Sequence, residues 1–267
     1  MSLLKNIALL NSVFAVGLMG AGIAQTAPVA SAKPTASTSA ALPQLTAAEI
    51  VAKNIFARGG AAAWRSVETL STSGKMDLPG KANQQAPFLL EQKRGRKSRL
   101  EIQFQGKTSI QVYDGTTGWK LRPFLGRKEV EKYSPVELKT ASELPDLDGP
   151  LMNAAADGTR VEADGVERVD GRDTYKLKLI FGNGDVRHIW IDGTTFLESE
   201  IDGQPVRLRG KSLQVRTAYK EYRSVQGLMF PFSQETSLEG SRKARKLVVE
   251  TVSVNLKIEN SRLAKLQ

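Results

Sequence analysis

Two hydrophobic periodicities divide the chain. Ile50, Val51, Ile55 and Phe56 recur at helical spacing. Thr46 precedes them, with Glu49 three residues on. That is a capping box, in which the Thr hydroxyl accepts from the third helical N–H and Glu reaches back to the cap. Gly59-Gly60 ends the predicted helix, and a short second helix is expected through Trp64. From Thr69 the period changes to two. "RLEIQFQ" (Arg99–Gln105) puts Leu100, Ile102 and Phe104 on one face and Arg99, Glu101, Gln103 and Gln105 on the other. "TYKLKLIF" (Thr174–Phe181) gathers Tyr175, Leu177, Leu179 and Phe181 in the same way. "VRHIWI" follows Gly182-Asn183-Gly184-Asp185. Asn-Gly between two such runs predicts a tight hairpin with positive φ at both central residues. "KLVVETVSVNLKI" (Lys246–Ile258) is a further strand.

Alternation means one wet and one dry face, hence antiparallel pairing. Many short strands in succession predict a meander or a barrel. One interruption is helical: Ser134-Pro135-Val136-Glu137 supplies a cap, Pro at the first position and Glu at the third, and Leu138–Leu144 continues it. "DLDGPLMNAAADG" (Asp146–Gly158) is expected to form a second short helix. Excursions of this length act as lids or cover one mouth of a barrel. We expect residues 46–267 to form one domain.

Ahead of the periodic region, residues 1–32 carry one base, Lys5, and no acid. Ile7–Ile23 is apolar and broken by Asn11, Ser12 and several Gly, with small residues at Gly22-Ile23-Ala24 and Ala30-Ser31-Ala32. This is the pattern of a cleaved export signal. Residues 33–45, rich in Ala, Ser, Thr and Pro, read as a disordered leader. There is no cysteine, which excludes disulfides and thiol chemistry and leaves no residue for a lipid anchor. The expected location is the periplasm. A net charge of +10 then either serves solubility alone or points to anionic lipid headgroups or an anionic membrane surface rather than nucleic acid.

Catalytic signatures are absent. Asp-Gly-Thr-Thr occurs twice, at Asp114–Thr117 and Asp192–Thr195. It matches a fragment of the Asp-x-Asp-Gly-Thr phosphotransfer motif, but the nucleophile position holds Val112 in one copy and Trp190 in the other. Both copies are predicted as turns, with Asp accepting backbone bonds, Gly at positive φ and Thr re-entering a strand. His188, the single histidine, has no nearby partners at triad or metal spacing. Asp146 and Asp148 read as capping residues. No metal site and no cofactor is expected, and the chain is not expected to be an enzyme. The face holding Leu100, Ile102, Phe104, Leu177, Leu179 and Phe181 either walls a cavity or fills a core; periodicity alone leaves both open.

Three stretches carry a resemblance. Glu91–Phe124 ("EQKRGRKSRLEIQFQG…SIQVYDGTTGWKLRPF"), His188–Ile201 ("HIWIDGTTFLESEI") and Tyr219–Thr236 ("YKEYRSVQGLMFPFSQET") resemble, in order, segments of the LolA/LolB family of outer-membrane lipoprotein-sorting proteins. The resemblance implies a mainly β, α+β fold, a half-open antiparallel β-barrel with lid helices at Ser134–Gly158. It implies a carrier that holds acyl chains of lipoproteins or lipids and moves them from an inner-membrane exporter to an outer-membrane acceptor, as a monomer without cofactor. The implied cavity wall is Leu100, Ile102, Phe104, Trp119, Leu121, Tyr175, Leu177, Leu179, Phe181 and Phe196. The family's lid-holding arginine falls on Arg94, with Gly95 in place of the family's Pro and Arg96 and Arg99 as rival positions. The same fold also serves envelope-stress sensors that bind an anti-sigma factor.

Overall fold

A computed structural model describes residues 42–78, 84–123, 126–208, 211–241 and 243–266. The predicted signal and most of the leader lie outside them. Helix α1 (Ala47–Ala57) starts at Thr46, whose Oγ1 accepts from the Glu49 N–H at 3.3 Å while Glu49 Oε2 accepts from the Thr46 N–H at 2.8 Å. Gly59 and Gly60 follow, and α2 (Ala61–Arg65) buries Trp64.

The rest is dominated by one antiparallel sheet. Strands β1 (Thr69–Asp77), β2 (Gln85–Lys93), β3 (Lys97–Phe104), β4 (Lys107–Tyr113), β5 (Gly118–Arg122) and β6 (Arg127–Lys132) form a first meander. Helix α3 (Pro135–Ser142) follows, with Ser134 and Glu137 as its capping box. Strands β7 (Arg160–Val169), β8 (Arg172–Ile180), β9 (Val186–Asp192) and β10 (Glu198–Asp202) form a second meander. A small ribbon, β11 (Val206–Leu208) with β12 (Lys211–Leu213), stands apart. Strands β13 (Val215–Val225), β14 (Leu228–Leu238) and β15 (Ala244–Val254) join the two meanders, because β15 pairs with β1 and β13 with β10. The order is β6-β5-β4-β3-β2-β1-β15-β14-β13-β10-β9-β8-β7. Strands β6 and β7 are free edges, so the sheet is open, and the chain from Tyr133 to Thr159 runs between those edges.

Register fixes the faces. Leu90 lies opposite Leu100, Leu100 opposite Gln111, and Gln111 opposite Lys120. All four share the inner face, on the side of α3, where Lys120 Nζ bonds both carboxylate oxygens of Glu137. Buried apolar residues form two groups. One joins Trp64, Leu90, Leu100, Ile102 and Phe230 to Ala141, Leu147 and Met152 of the edge-to-edge segment. The other joins Tyr175, Leu177, Leu179, Ile189 and Ile191 to Ile50 of α1 and to Leu151.

Three local expectations differ. Asp146–Gly158 is a run of turns rather than a helix; Gly149, at φ 81, is followed by Pro150, which has no N–H to donate. In the β8–β9 hairpin only Gly184 has positive φ, and the Phe181 N–H reaches Asp185 O at 2.9 Å. This is a three-residue loop closed by a left-handed glycine. The two Asp-Gly-Thr-Thr turns share the predicted Asp role: Asp114 Oδ1 accepts from the N–H of Thr116 and Thr117, and Asp192 Oδ1 from those of Thr194 and Thr195. Gly115 is left-handed, but Gly193 is not. Gly193 is needed for space instead, since a Cβ there would stand 2.5 Å from Leu42 and 2.9 Å from Asp173 O. Phe196 takes the positive φ in that turn.

Candidate functional site

The inner face is only partly filled. A cavity of about 220 Å³ lies among Trp64, Leu70, Leu90, Phe230, Ile189 and Ile201, and a second of about 180 Å³ lies among Leu179, Phe181, Arg187 and Ile201. Leu144, Pro145 and Pro150 border both, so the edge-to-edge segment forms their shared cover.

Asp148 pins that cover. Its carboxylate accepts from Arg94, Nη2 to Oδ1 at 2.7 Å and Nη1 to Oδ2 at 3.2 Å, and from Asn153 Nδ2 at 2.8 Å. Its backbone carbonyl accepts from Arg58 Nη1 at 2.7 Å. Arg94 Nη2 also donates to Trp64 O at 2.6 Å, tying α2 to the same point. The Asp146 carboxylate adds a bond from the Gly95 N–H at 3.0 Å. The Asp148 side chain is only 2% exposed. Burial pushes its carboxyl up, but the hydrogen bonds from Arg94 and Asn153 outweigh this and hold it below the usual carboxylate range. Of the three candidate arginines, Arg94 is the one that reaches the cover. Arg99 faces outward to Glu101 and the Arg262 carbonyl, and Arg96 stands at the cavity rim.

The larger cavity has a polar floor. Arg58 stacks over Trp64 with 4.5 Å to the ring centroid and lies 3.5 Å from Glu198. Tyr222 donates to Glu198 Oε2 at 3.1 Å. Tyr219 also borders the cavity. Two residues three apart on a regular strand would point to opposite faces; Glu221, at φ 56, breaks the alternation between them. Burial, then the Glu198 charge, pushes both phenols up, so both stay neutral.

Of the expected wall, Leu179 and Phe181 border a cavity. Leu100, Ile102 and Phe104 belong to the packed group around Trp64. Tyr175, Leu177 and Phe196 pack beneath α1; the Tyr175 hydroxyl donates to Pro43 O at 3.0 Å and its ring stacks on Phe196. Trp119 and Leu121 require a correction. Lys120 and Arg122 take the inner face of β5 to pair with Glu137 and Glu131, so Trp119 and Leu121 point outward, the way Arg99 and Glu101 do. Sequence reasoning missed Arg58, Glu198, Tyr219 and Tyr222. Glu198 lies in the His188–Ile201 stretch and the two tyrosines in the Tyr219–Thr236 stretch; Arg58 carried no signal.

Among the described residues, no helix is long and apolar enough to cross a membrane. Neither a family model nor a curated protein sequence matches the chain. Solved structures do. A LolA superfamily protein from Nitrosomonas europaea is 15% identical, with a TM-score of 0.54, over 83% of this chain and 99% of that one. An outer membrane lipoprotein-sorting protein domain from Vibrio parahaemolyticus is 14% identical, with a TM-score of 0.52, over 80% and 94%. A DUF1329 family protein from Desulfovibrio piger is 12% identical, with a TM-score of 0.53, over 82% and 97%. At these identities the likeness is one of architecture, and it agrees with the open antiparallel sheet and its internal cover: the chain has the LolA-like fold.

Proposed function

We propose that the protein is a periplasmic carrier that holds acyl chains of a lipid or lipoprotein beneath the 144–150 cover and releases them when the cover lifts. The observation that carries this reading is the pair of adjacent cavities under one segment held by polar contacts to Asp148. A packed core needs no such cover. Each cavity alone is smaller than the roughly 300–1,000 Å³ of small-molecule sites. Lifting one segment joins them. Each buried methylene contributes roughly 0.8 kcal/mol, so chains crossing an aqueous compartment need such an enclosure. The binding is non-covalent and catalyses nothing. Direction across the periplasm comes from the affinities of an inner-membrane donor and an outer-membrane acceptor.

Protein isolated by gentle extraction and analysed by native mass spectrometry is expected to carry one or more acyl lipids. A single mass equal to the mature chain, unchanged after incubation with lipid vesicles, would sink the reading.

A further inference from the structure

The walls of the larger cavity are not uniformly apolar. Gln92 lies opposite Leu70 on β1 and Ser98 on β3, and Thr72 lies opposite Leu90. Leu90 and Leu100 face inward, so Gln92 and Ser98, two positions from them on β2 and β3, face inward as well. Thr72, Gln92 and Ser98 therefore form one patch across three adjacent strands, and all three line the larger cavity. None of their side chains hydrogen-bonds to a described residue. The patch lies just inside the rim. Gln92 stands two positions before Arg94, which holds the cover, and Ser98 two positions after Arg96. Lys93 and Lys97 alternate to the outer face, where Lys93 donates to Asn260 at 2.9 Å. The ions deeper in the cavity, Arg58 and Glu198, lie 3.5 Å apart and offset each other.

We propose that the larger cavity takes an amphiphile with an uncharged, hydroxyl-bearing head group, such as a glycerol or sugar ester. The head group hydrogen-bonds to Thr72, Gln92 and Ser98 just inside the rim, while its acyl chain lies against Trp64, Leu70, Leu90 and Phe230. This rests on the carrier reading and adds the class of head group. A bare chain laid over the patch would displace water from three polar side chains and leave each unpaired, which costs free energy at every one. A ligand that brings its own donors and acceptors avoids that cost. Two hydroxyls and an amide each donate and accept, and so do the hydroxyls of a polyol, whereas an ester carbonyl only accepts. An ionised head group buried at the patch would meet no free counter-charge there.

The test uses two probes with the same fluorescent acyl chain, a monoacylglycerol and the methyl ester that lacks its hydroxyls. They are titrated into wild type and into a triple variant, Thr72→Val, Gln92→Leu and Ser98→Ala. Each substitution keeps the approximate size and removes the polar group. No side-chain hydrogen bond among the described residues is lost, so the melting temperature is expected to hold or rise. Dividing the wild-type affinity ratio of the two probes by the variant ratio cancels their different hydration. That quotient is expected to favour the monoacylglycerol by roughly 10- to 100-fold, about fivefold per hydrogen bond. Should the triple variant melt earlier than wild type, Gln92→Leu alone gives the same comparison, with about a fivefold quotient expected. Millimolar free glycerol is expected not to displace the monoacylglycerol. A quotient near one, with both probes bound, overturns the proposal and leaves the carrier reading standing. Full displacement by glycerol also overturns it, making the patch a site for a free polyol. Binding of neither probe to wild type overturns the carrier reading itself.

Discussion

Replacing Arg94 by alanine is expected to free the 146–158 segment and make its local opening easier by about 2–4 kcal/mol. Asp148 is 2% exposed and Arg94 is 24% exposed at the side chain. Removing the arginine strips the carboxylate of its two-pronged partner while leaving it buried. Arg58 and Asn153 remain but do not replace the fork. Amide exchange should therefore accelerate across residues 146–158, with β13 and β14 as unaffected controls. The effect depends on pH in a defined direction. In wild type the Asp148 carboxyl titrates below its ordinary range. Its contribution is thus fully present above the unfolded carboxylate range and is lost as pH falls through the depressed value. In the variant burial is no longer opposed by Arg94, so the carboxyl shifts upward. The gap between the two proteins should be widest near neutral pH and close on acidification. Uniform exchange in wild type and variant at neutral pH would show that Asp148 does not hold the cover.

The second large effect concerns the other end of the same segment. Lys120 and Glu137 are 8% and 4% exposed at their side chains. Burial pushes the Glu137 carboxyl up, but the Lys120 hydrogen bond and the Ser134 backbone and hydroxyl outweigh it. Lys120→Ala leaves that carboxylate buried without its cation, at a cost of about 3–5 kcal/mol. Lys120→Met with Glu137→Gln keeps the volume and removes both charges, and should recover most of the loss. Urea unfolding of the single and double variants measures this. If the double variant is as unstable as Lys120→Ala, packing rather than the unpaired charge explains the loss.

Much of this frame was legible before any coordinates. The capping boxes at Thr46 and Ser134 depend on contacts three residues apart, which a sequence displays directly. Alternation in β3 and β8 predicted their dry faces because both strands place apolar residues inward. Strand β5 misled for the same reason. Its apolar residues, Trp119 and Leu121, occupy the outer face, since Lys120 and Arg122 find carboxylate partners inside. A sequence shows the alternation and not which half is inside, and here the carboxylates of Glu137 and Glu131 decide it. Asp146 and Asp148 read as caps, yet Asp148 meets Arg94 and Arg58 from 54 and 90 positions away. The cavity floor was hidden for a related reason. Arg58 and Glu198 are 140 positions apart in the chain, and a single left-handed backbone at Glu221 brings Tyr219 and Tyr222 to the same cavity. The repeated Asp-Gly-Thr-Thr was read correctly as architecture, though one glycine serves conformation and the other serves space.

The three tryptophans test the central claim most directly. Trp64 borders the larger cavity. Trp119 and Trp190 share the outer face, by their register opposite Val112 and Lys176. Single-tryptophan variants, with the other two replaced by phenylalanine, can be titrated with lipid carrying brominated acyl chains, which quench fluorescence at short range. Chains held beneath the cover will quench Trp64 strongly and leave Trp119 and Trp190 nearly unchanged. Equal quenching of all three, or none at Trp64, would place the lipid on the surface or nowhere, and would contradict an acyl-chain site inside the sheet.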